Sequence, residues 1–148
     1  MMVSSLEEIR KILPLFLTYE SIVLMCKYNG GKSSLITDMI HRYFGEENTY
    51  YLTFIDQSKP HFVPRKSRLS YGQMIEKKII IFDELSDDKN RDVRAYLKKL
   101  IEKNKVIILT NPYGSSDDAE KEIALFRKEE EKILPAKVLY LFVKTHVL

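Results

Sequence analysis

Short apolar runs alternate with helix-period segments along almost the whole chain, and this alternation restricts the fold more than any other feature. The runs are "SIVLMCK" (21–27), "TYYLTFI" (49–55), "KIIIFDEL" (78–85), "KVIILTNP" (105–112) and "KVLYLFVKTHV" (137–147). Such runs suit strands, and those with little polar alternation suit strands buried on both faces. Between them, Leu35, Ile36, Met39, Ile40 and Tyr43 recur at helical spacing, with Gly45 as a stop. "NRDVRAYLKKLIEKN" is amphipathic, with Val93, Tyr96, Leu97 and Leu100 on its inner side. "SSDDAEKEIALFRKEEEKIL" opens on capping residues, aligns Ala119, Ile123 and Phe126, and is expected to be broken by Pro135. Ser5 and Glu8 have capping-box spacing before Ile9, Leu13 and Phe16, so a helix opens the chain; Pro14 should kink or end it. The alternation predicts an α/β fold, a mostly parallel five-stranded sheet flanked by helices.

A chain of 148 residues, 45% hydrophobic and 30% charged, fits one globular domain that builds its core without disulfides. The single cysteine, Cys26, excludes an internal disulfide and predicts a reducing, intracellular setting, the cytoplasm. The N-terminal "MMVSSLEEIRKILPLFL" carries early acids and a proline, so neither a signal peptide nor a membrane span is expected. Net charge of +3 argues for no partner by itself. Its distribution is uneven: 57–78 is basic, with Lys59, Arg65, Lys66, Arg68, Lys77 and Lys78 against Glu76, while 117–131 is mostly acidic.

Parallel sheets bind ligands beyond the carboxyl ends of their strands, and three polar clusters fall there. The first is "CKYNGGKSS" (26–34). Backbone N–H groups of a glycine turn opening onto a helix N-terminus suit phosphate oxygens. Lys32 would reach the β- and γ-phosphates, and the Ser33 hydroxyl would ligate Mg2+. Cys26 stands where the phosphate-loop pattern has its first glycine. The plain alternative is a glycine turn with an accidental lysine. The second cluster ends "IIIFDEL": Asp83 would hold the metal and Glu84 would orient and deprotonate the attacking water. The third ends "VIILTNP", where Asn111, or Thr110 beside it, would contact the γ-phosphate or the water; otherwise Asn111-Pro112 only starts a turn.

Together the clusters resemble the additional-strand P-loop ATPases, the AAA+ class and its viral relatives, the superfamily III helicases. "KYNGGKSS" looks like Walker A, "IIIFDEL" like Walker B and "IILTNP" like sensor 1, and Asn29 before Gly30-Gly31 is similar to the asparagine of superfamily III loops. The resemblance implies ATP and Mg2+ as cofactors, with Asn29, Gly30, Gly31, Lys32, Ser33 and Ser34 around the nucleotide and Ser33 and Asp83 at the metal. It implies a domain spanning 1–148, a helix over 1–18 and an ATPase core over 19–148 without a helical lid. The basic hairpin usual between Walker B and motif C in superfamily III helicases is replaced by one helix.

Such ATPases complete their site with an arginine from a neighbouring subunit, which makes Arg127 a candidate and Arg91 and Arg94 its competitors. That role would require a homo-oligomer. "KPHFVPRKSRLSYGQ" joins Lys59, Arg65, Lys66 and Arg68 to Phe62 and Tyr71, a composition for single-stranded nucleic acid or simply a solvated loop. His41, His61 and His146 have no partners at metal spacing. The expected function is ATP hydrolysis coupled to replication, unwinding with a partner replication protein, or packaging, in the economy of a viral or plasmid gene and, if viral, in the host cytoplasm. A small nucleotide or nucleoside kinase and a non-catalytic nucleotide-dependent binding module are the alternatives.

Overall fold

The computed structural model describes residues 2–3, 6–16, 18–19, 21–26, 32–53, 73, 75–83 and 91–143. The strands are β1 Met2–Val3, β2 Ser21–Cys26, β3 Thr49–Thr53, β4 Ile79–Asp83, β5 Lys105–Thr110 and β6 Val138–Val143. The helices are α1 Leu6–Phe16, α2 Lys32–Phe44, α3 Arg91–Lys103 and α4 Ala119–Glu130, with a short 3-10 turn at Glu46–Asn48. The described strands are all parallel, in the order β1-β6-β2-β5-β4-β3.

Alternation along the strands divides the core into two layers. Ile22, Leu24, Ile79, Ile81, Ile107, Leu109, Leu139 and Leu141 face α1 and α2, meeting Ile9, Leu13, Ile36 and Ile40. Val23, Met25, Ile80, Phe82, Val106, Ile108 and Phe142 face α3 and α4, meeting Leu97, Leu100, Ala119 and Phe126. β4 is buried along its whole length, as its unbroken apolar run requires. A small apolar cavity of about 20 Å3 lies between α1, α2 and the sheet. Its lining offers water no polar partners, so it belongs to the core.

Two expectations change in detail. Among the described residues the sheet has six strands, because Met2–Val3 pairs with Phe142 and Val143 at the β6 edge. Two residues carry no readable period, so nothing in the sequence marks them as a strand. α1 ends at Phe16, two residues past Pro14. α4 ends at Glu130, five residues before Pro135, the expected break, and the amides of Ile133 and Leu134 donate to the Glu130 carbonyl.

Gly45 ends α2 with φ of 89°, a left-handed value that disfavours any side chain. At the amino edge, Asn104 closes α3 and donates to the carbonyls of Ile75 at 3.2 Å and Lys77 at 2.5 Å, holding the approach to β4. Asp118 caps α4, its Oδ1 accepting from the Glu120 and Lys121 amides at 3.0 and 3.4 Å. Asp118→Ala should cost about 1 kcal/mol, read as a lower denaturation midpoint at unchanged m-value.

Candidate functional site

The carboxyl edge collects the ends of β2, β4 and β5. Asp83 lies opposite Thr53 on one side and Leu109 on the other, and Leu109 lies opposite Leu24. Neighbouring strands are about 4.8 Å apart, so Asp83 and Leu24 are separated by roughly 10 Å across β5. Residues 27–31 connect β2 to α2, which begins at Lys32. α2 covers the face on which Ile79 and Ile81 lie, and alternation puts Asp83 on that same face. No acidic residue occupies the first turn of α2, so no side chain there offsets its positive end.

Asp83 is only 2% exposed. The Tyr51 hydroxyl, reaching from β3, donates to its Oδ2. A buried carboxylate is costly to hold without such donors, and a phenol satisfies one of its oxygens without bringing a charge of its own. Thr110 is also buried, but alternation puts it with Val106 and Ile108, on the α3–α4 face; its hydroxyl donates to the Asn111 carbonyl at 3.0 Å. Thr110 and Asp83 therefore lie on opposite faces of the sheet. Of the Thr-Asn pair, half-buried Asn111 remains at the edge itself.

The loop leaving β5 is held from beneath by two buried glutamates of α4. Glu122 accepts from the amides of Gly114 at 2.9 Å and Ser116 at 2.8 Å. A Cβ on Gly114 would stand 2.7 Å from Glu122 Oε1, so a side chain there would displace the carboxylate that holds the loop. Glu130 accepts the Tyr113 hydroxyl at 2.7 Å and both Nε and Nη2 of Arg94, the latter at 2.7 Å. Burial opposes the charge of Arg94, but Glu130 outweighs it and the guanidinium pKa is raised. Burial first, and Glu130 second, push the Tyr113 hydroxyl well above its ordinary range. Tyr113 also packs its ring against Phe126, 5.0 Å between centroids.

Arg94 thus ties α3 to α4, an intramolecular role at odds with one as an arginine finger. Arg127 is exposed on α4, its guanidinium 5.5 Å from the centre of the Tyr140 ring. Burial raises the Tyr140 pKa, and Arg127 partly opposes that shift. Tyr140 lies three residues before the end of β6, so Arg127 sits about 10 Å back from the carboxyl edge of the sheet.

Asn29, Gly30, Gly31, Glu84, Lys59, Arg65, Lys66 and Arg68 lie outside the described residues, as do His61, Phe62, Tyr71 and His146. Lys32, Ser33 and Ser34 form the first turn of α2, and their side chains are outside the description, as is that of Arg91. Among the described residues there is no group of three or more His, Cys, Asp or Glu able to hold a metal, and no helix long and apolar enough to cross a membrane. Sequence reasoning passed over Tyr51, Glu122 and Glu130. The glutamates had a signal: positions 119, 122, 126 and 130 share one face of a helix with Ala119 and Phe126. No protein-family model matches the chain, and no curated protein matches it, so its function is to be argued from its own residues and fold.

Proposed function

We propose that the chain is an ATP-binding and ATP-hydrolysing domain of the additional-strand P-loop type, coupled to work on nucleic acid. One observation carries the reading: β5 is inserted between β2 and β4, the strands that end at the glycine loop and at buried Asp83. An additional strand in that place is what the resemblance to this ATPase class calls for. The residues also fit the ligand chemically. Mg2+ prefers hard oxygen donors and keeps waters and phosphate oxygens, so one carboxylate and one hydroxyl, Asp83 and Ser33, suffice from the protein. Bound Mg2+ would supply neutralisation of charge on the phosphates.

Lys32 and the amides of 29–34 would bind the triphosphate, Glu84 would take the proton from the attacking water, and Asn111 would hold the water or γ-phosphate. Arg127, exposed on α4, would serve a neighbouring subunit of a homo-oligomer, and the basic segment 59–73 would track single-stranded nucleic acid. The single cysteine fits a reducing cytoplasm.

Phosphate release from ATP without an acceptor is the test. The wild-type chain should release phosphate in a Mg2+-dependent way, and Lys32→Ala should weaken ATP binding about tenfold or more through loss of charge-assisted contacts. Turnover only with a nucleoside or nucleotide acceptor would indicate a kinase. Tight binding with no turnover, even with single-stranded DNA or RNA present, would indicate a binding module.

A further inference from the structure

Tyr51 is not among the residues that the motifs bring to the site, yet its hydroxyl donates to the buried Asp83 carboxylate. Its position in the sheet makes this contact specific. β3 and β4 run parallel with Tyr51 opposite Ile81, so Asp83 is the next residue along β4 on the same face. That diagonal neighbour is about 7–8 Å away, within reach of a long aromatic side chain and beyond that of a short one. Tyr51 also packs against the α2-side core, which holds its ring. A phenol orients a carboxylate without cancelling its charge, whereas a lysine or arginine in its place would compete with a cation.

We infer that Tyr51 is a positioning residue that aims the Asp83 carboxylate for a divalent cation bound with nucleotide. The inference rests on the ATP reading above and names a residue that sets the metal dependence of that site. Its role is exerted through Asp83. Partners that hold a metal-ligating carboxylate typically tune affinity for the metal by ten- to a hundredfold.

The test is a Mg2+ titration of the binding of a fluorescent ATP analogue, with a parallel titration in EDTA. Tyr51→Phe keeps the packed ring and loses only the hydroxyl, and a melting curve checks that the fold is kept. It should raise the Mg2+ midpoint about tenfold while nucleotide affinity in EDTA stays within about twofold of wild type. Tyr50→Phe, on the opposite face of the same strand, should leave both unchanged. A Tyr51→Phe midpoint equal to that of a Mg2+-responsive wild type would overturn the inference alone and reduce the contact to a tether between β3 and β4. A wild-type chain whose nucleotide binding ignores Mg2+ would overturn the inference together with the ATP reading.

Discussion

Replacing Glu84 by glutamine is expected to abolish ATP turnover and leave ATP bound. Glu84 directly follows Asp83, the last residue of β4, where the strand leaves the buried sheet. A carboxylate there can take a proton from water attacking the γ-phosphate, and the amide of glutamine cannot. General-base assistance contributes about 10²–10⁴ in rate, so hydrolysis should fall by that factor. Glutamine keeps the size and hydrogen-bonding reach of glutamate, and neither Lys32 nor Asp83 is touched, so the dissociation constant for ATP should move by no more than a few-fold. Single-turnover phosphate release, with equilibrium binding alongside, reads the two quantities separately. Equal loss of binding and turnover would assign Glu84 to holding the nucleotide or the fold instead.

Glu130→Ala should be the most damaging change far from the nucleotide. Glu130 is 3% exposed and receives Arg94 and Tyr113 together. Removing one partner from a buried ion pair costs about 3–5 kcal/mol. Arg94 retains 20% side-chain exposure and can reach water, which favours the low end, about 3 kcal/mol. Against a total stability of about 5–15 kcal/mol this is severe, and it should lower Tm by roughly 6–12 °C. Arg94→Met combined with Glu130→Met should recover part of the loss, because no charge is then left buried, although Tyr113 still lacks its acceptor. The same cluster sets an alkaline limit. Tyr113 has its folded pKa raised above the ordinary 10.0, so its stabilisation is complete below about pH 10. It is lost as pH rises further, because the unfolded chain sheds the phenol proton while the folded chain retains it. Tyr113→Phe should flatten that limb in a pH series of melting curves.

The strands were legible because β2, β4, β5 and β6 are continuous apolar runs, a pattern that only burial on both faces sustains. Their carboxyl ends were legible for the same reason: Asp83 and Thr110 are the first polar residues after those runs in β4 and β5. Side-chain direction at those ends was not. Whether Thr110 faces α2 or α4 depends on the phase of alternation, and the structure puts it away from Asp83. Tyr51 could not be found at all without the β3–β4 register, which is a relation between strands distant in sequence. Glu122 and Glu130 were hidden in an acidic stretch that reads as a solvated face. Only their phase against Ala119 and Phe126 reveals that they point inward.

The most direct test of the central claim is a crystal structure of the wild-type chain with a non-hydrolysable ATP analogue and Mg2+. The triphosphate should lie over the N-terminus of α2, with the metal between Ser33 and Asp83, and Glu84 and Asn111 facing the γ-phosphate. An analogue bound anywhere but the carboxyl edge between β2 and β4, or no binding at saturating concentration, would contradict it.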